Sequence, residues 1–245
     1  MKNILSMFVA VWTLMTRIPL PRALLGVPAL PSAEAMVLAP FVGALLALMT
    51  GLPAWAAARV IPVPAAAWAA CGLYTIFGWS LHLDGWGDLW DGVGSGRRGE
   101  EMRAVMKDSR VGSFGVAGIV LALALRATLL AGLDTGLWLQ ALAASGGVGR
   151  FALAAAAYAG RYPWGAGMGR DIVSGFGGRH LAVSLAISCF LIPLKPSFAL
   201  AIIAAGIAGA ALAFWCNKNL GGTNGDVLGA SAVLGEIIAL ACCAL

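Results

Sequence analysis

Charge is the first thing this chain has little of. Only 11% of its 245 residues are charged, 16 Lys and Arg against 11 Asp and Glu, about half the share carried by soluble domains. So few polar groups cannot coat a globule, whereas a bilayer solvates apolar helix surface directly. Histidine is nearly missing: His82 and His180 stand far apart in unlike contexts. The five cysteines, Cys71, Cys189, Cys216, Cys242 and Cys243, show no CxxC or Cys/His ligand spacing. A zinc site and a redox pair are therefore not expected, and the cysteines read as buried small hydrophobes. No internal repeat, low-complexity linker, soluble domain or nucleic-acid-binding motif is found either. What is present is 60% hydrophobic with 33 Gly and a mean hydropathy of +0.88. The expectation is an all-α, polytopic integral membrane helical bundle, a single domain over residues 1–245, with membrane lipid as a partner and no nucleic acid.

Apolar segments at about 33–58, 64–81, 113–133, 137–159, 181–194, 197–216 and 227–245 predict roughly seven spans. The 181–194 segment is short and meets Pro193 and Pro196, which suits a broken helix joined to its successor. The N-terminal run from Ile4 to Met15 imitates a secretory signal but lacks a small-residue cleavage site. It is too short to span, so an interfacial or re-entrant helix is expected. Arg17, Arg22, Arg97, Arg98, Arg103, Lys107, Arg110, Arg161, Arg170, Arg179 and Lys218 fall on one side of this topology, against Arg59 and Lys195 on the other. The positive-inside bias puts the loops at 82–112, 160–180 and 217–226 in the cytoplasm. Arg126, Arg150 and Glu236 lie inside spans, where ionisable groups are functional hypotheses by default. Arg150 is placed to reach the site from within the bundle, Arg126 to snorkel toward the far side, and Glu236 to need a partner.

Within these polar loops, Asp84, Asp88 and Asp91 follow at i, i+4 and i+7 in His82–Gly92, so one helix face carries three carboxylates. Their repulsion calls for a cation, and oxygen ligands point to Mg²⁺ shared with a substrate phosphate. The segment Met106–Gly115 brings Lys107, Asp108, Ser109 and Arg110 to glycines at the start of a span, a pattern that cradles phosphate. Gly221, Gly222, Asn224 and Asp226 open the last span; the glycines suit a second phosphate nest, and Asp226 reads either as a helix cap or as a metal ligand.

Five stretches together resemble the cobalamin synthase family, the adenosylcobinamide-GDP ribazoletransferases, over nearly the whole chain. They are Thr-Arg-x-Pro-x-Pro at Thr16–Pro21, Pro-x-x-Gly at Pro40–Gly43, His-Leu-Asp-Gly-x-x-Asp-x-x-Asp-Gly at His82–Gly92, Met-Lys-Asp-Ser-Arg-x-Gly-x-x-Gly at Met106–Gly115, and the Gly-Gly start at Gly221. The last departs from the family pattern: Thr223-Asn224 replaces Gln-Thr, and Val233 stands where the first of two glutamates is usual, leaving Glu236. The resemblance implies a bacterial inner-membrane enzyme with its active site facing the cytoplasm. It would transfer the adenosylcobinamide-phosphoryl group from adenosylcobinamide-GDP to α-ribazole or its 5′-phosphate, releasing GMP with Mg²⁺ as cofactor. Asp84, Asp88 and Asp91 are then the expected metal ligands, with one of them or Asp108 as base. His82, Lys107, Ser109, Arg110, Arg150, Gly221, Gly222, Asn224 and Asp226 are the expected substrate contacts; a second copy of the chain is a candidate partner. CDP-alcohol phosphatidyltransferases share an Asp-x-x-Asp-Gly element but follow it with Ala-Arg, where this chain has Val93-Gly94-Ser95-Gly96. A transporter would instead set its acids near the membrane midplane.

Overall fold

The computed structural model describes residues 4–24, 31–167 and 169–245. Met1, Lys2 and Asn3, the start of the signal-like segment, lie outside them. The described residues form helices and no strand: α1 Ile4–Met15, α2 Ala33–Met36, α3 Ala39–Ala57, α4 Val63–Phe77, α5 Leu81–Gly94, α6 Gly99–Met106, α7 Ser113–Ala131, α8 Trp138–Ala159, α9 Arg170–Val173, α10 Gly178–Cys189, α11 Ser197–Asn219 and α12 Gly225–Cys243.

Every expected apolar segment contains a helix, but among the described residues only α3, α7, α11 and α12 are both long and apolar enough to cross a membrane. The 33–58 segment is divided, because the chain turns at Val37–Leu38 between α2 and α3. Pro40 sits in the first turn of α3, where no intrahelical donor is lost. The α10 helix stops at Cys189 and, after a 3₁₀ turn holding Pro193, gives way to α11, as the prolines require.

The longest buried element is α8, which packs against α3, α11 and α12 at the centre of the bundle. Its apolarity is diluted by Gln140, Ser145 and Arg150. It holds close neighbours because its contact positions are small: a Cβ on Gly43 or Gly146 would overlap the other's carbonyl. Small residues let helices approach closely where lipid removes the hydrophobic incentive to pair.

The other shaping feature is a break between α4 and α5. Trp79 and Ser80 both take left-handed backbone at φ 65° and 55°, an arrangement unfavourable for side-chain-bearing residues. The segment after α1 is fastened to this break: Arg17 donates its backbone N–H to Phe77 O at 2.7 Å, and its guanidinium lies over the Trp79 ring. Beyond the break, α5 runs antiparallel to α7 and against the start of α12. The α1 helix is embedded, with Val11, Trp12 and Met15 buried against α2, α3 and α8, so it does not merely rest on the surface.

Candidate active site

Three loops meet at one end of the bundle. Trp164 Nε1 donates to Glu100 Oε1 at 2.9 Å, Arg103 lies over the Trp164 ring, and Thr223 N donates to Arg161 O at 2.7 Å. The 82–112, 160–180 and 217–226 connections therefore form one surface. The glycine pair at 221–222 fastens it: Gly222 packs on Arg161 and Pro163, while Gly221 has open space where a side chain would be.

The helix α5 delivers its acids to this surface through close contact with α12. A Cβ on Gly85 would lie 2.7 Å from both Cα and O of Asp226, so only glycine lets the two helices meet there. Asn224 is the N-cap of α12, accepting from Val227 N at 3.1 Å, and its amide donates to Asp226 Oδ2 at 2.7 Å. Asp226 is thereby relieved of the capping role open to it in sequence and is oriented toward α5. Asp84 and Asp226 then share a cavity of about 150 Å³ with His82, closed on its apolar side by Leu14, Met15 and Met36.

Asp88, half-buried, is pushed up to about 7, first by burial and then by the carboxylates of Asp226, Asp84 and Asp91. No Lys or Arg forms an ion pair with Asp84, Asp88 or Asp226 among the described residues. Lys107 is near enough to act on Asp226 electrostatically.

Asp91 has a different task. Its Oδ2 accepts from Gly112 N and its Oδ1 from Gly115 N, both at 2.7 Å. It therefore caps the N-terminus of α7, and a Cβ on either glycine would overlap its carboxylate. The phosphate cradle expected at Gly112–Gly115 is thus filled by a side chain of the protein itself. Asp108 does not join the acid group either: it is exposed and binds Arg110 Nε at 3.0 Å and Nη2 at 2.7 Å. That pairing, with the Arg110 backbone N–H, holds its carboxyl down to about 2, a poor starting point for a base at neutral pH. Ser109 and Arg110 are exposed on the same loop.

Arg150 is fully buried, so it does not present itself to a phosphate in the open site. Its guanidinium binds Glu236 and the Tyr74 hydroxyl, and its Nη2 lies 3.0 Å from His82 Nδ1. Arg126 does not snorkel: it is 4% exposed and pairs with Glu236 Oε2 at 3.2 Å. Glu236 thus has two cationic partners. The residue missed by sequence reasoning is Tyr74, whose hydroxyl donates to Glu236 Oε1 at 2.9 Å. It is one of only three tyrosines, and a phenol inside an apolar helix requires a partner, which is the signal that would have found it.

The profile of the cobalamin-5-phosphate synthase family matches residues 7–244. Among curated proteins, an adenosylcobinamide-GDP ribazoletransferase of Syntrophobacter fumaroxidans is 37% identical over 221 residues, covering 86% of this chain and 87% of the relative. One of Escherichia coli O17:K52:H18 is 31% identical over 243 residues, covering 96% of this chain and 98% of the relative. No solved structure matches. A match from one end of the chain to the other, with the acid-bearing α5 and the capped α12 inside it, leaves one assignment: the chain belongs to the cobalamin-5-phosphate synthase family.

Proposed function

We propose that this protein is an adenosylcobinamide-GDP ribazoletransferase. An acceptor hydroxyl of α-ribazole, with or without a 5′-phosphate, attacks the phosphorus that carries adenosylcobinamide. The bond from that phosphorus to the GMP oxygen breaks, and GMP leaves. The observation that carries this reading is the α5–α12 contact, which gathers Asp84, Asp88 and Asp226 without a cationic partner at the end of a membrane bundle.

The donor set fits Mg²⁺. It offers hard carboxylate oxygens whose mutual repulsion is offset by no ion pair among the described residues. Among the described residues no three Asp, Glu, His or Cys side chains already stand as a closed ligand set. That suits an ion which usually takes one or two carboxylates and fills its shell with water and substrate phosphates. One or two of Asp84, Asp88 and Asp226 would hold it, and when bound it would neutralise diphosphate charge and stabilise the departing GMP. Lys107 adds a positive charge beside the same group. The proton of the acceptor hydroxyl passes to a carboxylate oxygen of the α5 acids, Asp84 and Asp88, since Asp91 and Asp108 are committed elsewhere.

The eleven basic residues on the loop side support a reading in which this end of the bundle faces the cytoplasm at a bacterial inner membrane. An impermeant thiol reagent added outside intact cells should leave a cysteine at Gly165 unlabelled; labelling would reverse the orientation. For the activity, purified protein in detergent is supplied with adenosylcobinamide-GDP, α-ribazole and Mg²⁺. Equimolar GMP and corrinoid product are expected, and no GMP release above a protein-free control would refute the assignment.

A further inference from the structure

The two nitrogens of His82 meet different surroundings. Nδ1 lies 3.0 Å from Arg150 Nη2. A guanidinium is always charged and only donates, so Nδ1 must accept and the ring proton must sit on Nε2. Arg150 is held in turn by Glu236, which also binds Arg126 and the Tyr74 hydroxyl. The exposure of Arg150 and Glu236 is 1% each. This cluster surrounds the cavity at the α4–α5 break, lined by Gly78, Ser80 and Thr75, whose Oγ1 has no partner among the described residues. His82 is also among the residues that line the cavity holding Asp84 and Asp226. No described protein group takes up Nε2. The usual partner of a functional histidine is a carboxylate or carbonyl that accepts from Nδ1–H. Here the polarity is reversed.

We propose that the Arg126–Glu236–Arg150 chain is a positioning device that locks His82 in its Nε2–H tautomer, presenting a fixed neutral donor in the acidic cavity for a phosphoryl oxygen of the diphosphate substrate. The alternatives are worse there. An imidazolium would pair with Asp84 or Asp226 and compete with the cation, and an Nδ1–H tautomer would aim a lone pair at an anionic oxygen. A rigid donor aimed at developing charge costs no reorganisation during reaction. The inference rests on the transferase reading for its substrate, but its tautomer claim stands apart from activity.

The test has two arms, both on the full chain in detergent. Nitrogen-15 NMR of histidine-labelled protein, with His180→Gln to leave one histidine, should show Nδ1 unprotonated and Nε2 protonated across neutral pH. In Arg150→Met the two tautomers should mix. A protonated Nδ1 in the parent overturns the proposal. In the second arm, the amide of His82→Gln can replace the Nε2–H donor, whereas that of His82→Asn corresponds to Nδ1. GMP release should be largely retained by the Gln variant and fall about 100-fold in kcat in the Asn variant, with little change in KM for α-ribazole. Equal loss in both overturns the donor role. A parent that shows the Nε2–H tautomer but releases no GMP refutes the transferase reading and leaves the lock intact.

Discussion

Asp91 and Gly115, 24 residues apart, are joined by a 2.7 Å hydrogen bond from the Gly115 N–H to Asp91 Oδ1, while the second carboxylate oxygen takes Gly112 N–H. The last acid of the α5 repeat is therefore a trans cap for α7, and the two longest sequence motifs are physically one unit. A negative charge at a helix N-terminus both satisfies free donors and opposes the helix dipole.

Replacing Asp91 with Asn should accordingly cost stability. One oxygen becomes an NH₂ that faces a backbone donor, and the charge is lost, together about 1–2 kcal/mol. Thermal inactivation in detergent should shift down, while added Mg²⁺ still raises the midpoint. A variant as heat-resistant as the parent that no longer responds to Mg²⁺ would make Asp91 a ligand and not a cap.

Asp88 should behave oppositely. Its folded-state value of about 7 lies above that of an ordinary carboxylate, so the folded protein holds a proton the unfolded chain has released. Stability without divalent cation should therefore fall as pH rises from about 5 to 8. Asp88→Asn should flatten that profile, lose most of the Mg²⁺-induced thermal shift, and lower GMP release by about 100-fold or more. Glu34→Gln, at an exposed position of α2, should leave the Mg²⁺-induced shift and GMP release unchanged. A steep pH profile persisting in Asp88→Asn would assign the repulsion to another group.

Glycine at position 85 decides how the acid helix meets Asp226. Gly85→Ala places a methyl 2.7 Å from the Asp226 backbone, so α5 must tilt away at a cost of about 1–3 kcal/mol. The expected result is loss of Mg²⁺ response together with activity. Gly72→Ala, in α4 away from the acidic cavity, meets nothing within 4 Å and should be silent. If both alanine variants release GMP normally, the α5–α12 contact does not build the site.

The sequence disclosed much of this and hid the rest for definable reasons. Hydropathy marks α7, α11 and α12 to within a few residues, because a span must be apolar throughout its length, and it finds α8 as well but does not show the turn that divides 33–58 into α2 and α3. The i, i+4, i+7 acids are likewise visible, since α5 is regular from Leu81 to Gly94. Which partner each acid meets depends on the antiparallel α5–α7 and α5–α12 contacts, and a local period contains nothing of that. Arg126 misleads for a related reason: in a helix apolar all round, such as α7, no amphipathic stripe says which face turns inward. The break at Trp79–Ser80 is announced only by Gly78 beside it, because left-handed backbone at Trp and Ser is imposed by the surrounding packing.

The buried charge cluster gives the last prediction. Arg126 and Arg150 carry two positive charges, Glu236 one negative, and His82 and Tyr74 are neutral, so the cluster holds one uncompensated positive charge. Val233, at the place where the family pattern has a glutamate, lines the same cavity. Removing Glu236 would leave two guanidiniums facing each other without a counter-charge, a loss of about 3–5 kcal/mol for breaking a buried pair. Arg126→Met instead leaves the balanced Arg150–Glu236 pair and should cost clearly less. Val233→Glu supplies the missing charge beside both arginines and should be tolerated despite its buried position, whereas Val233→Gln, equal in size but uncharged, should be the less stable of the two. Expression level and thermal inactivation of the variants in detergent provide the ranking. If Arg126→Met is as damaging as Glu236→Gln, or if the Glu and Gln variants at position 233 are equally unstable, the cluster is not governed by its net charge.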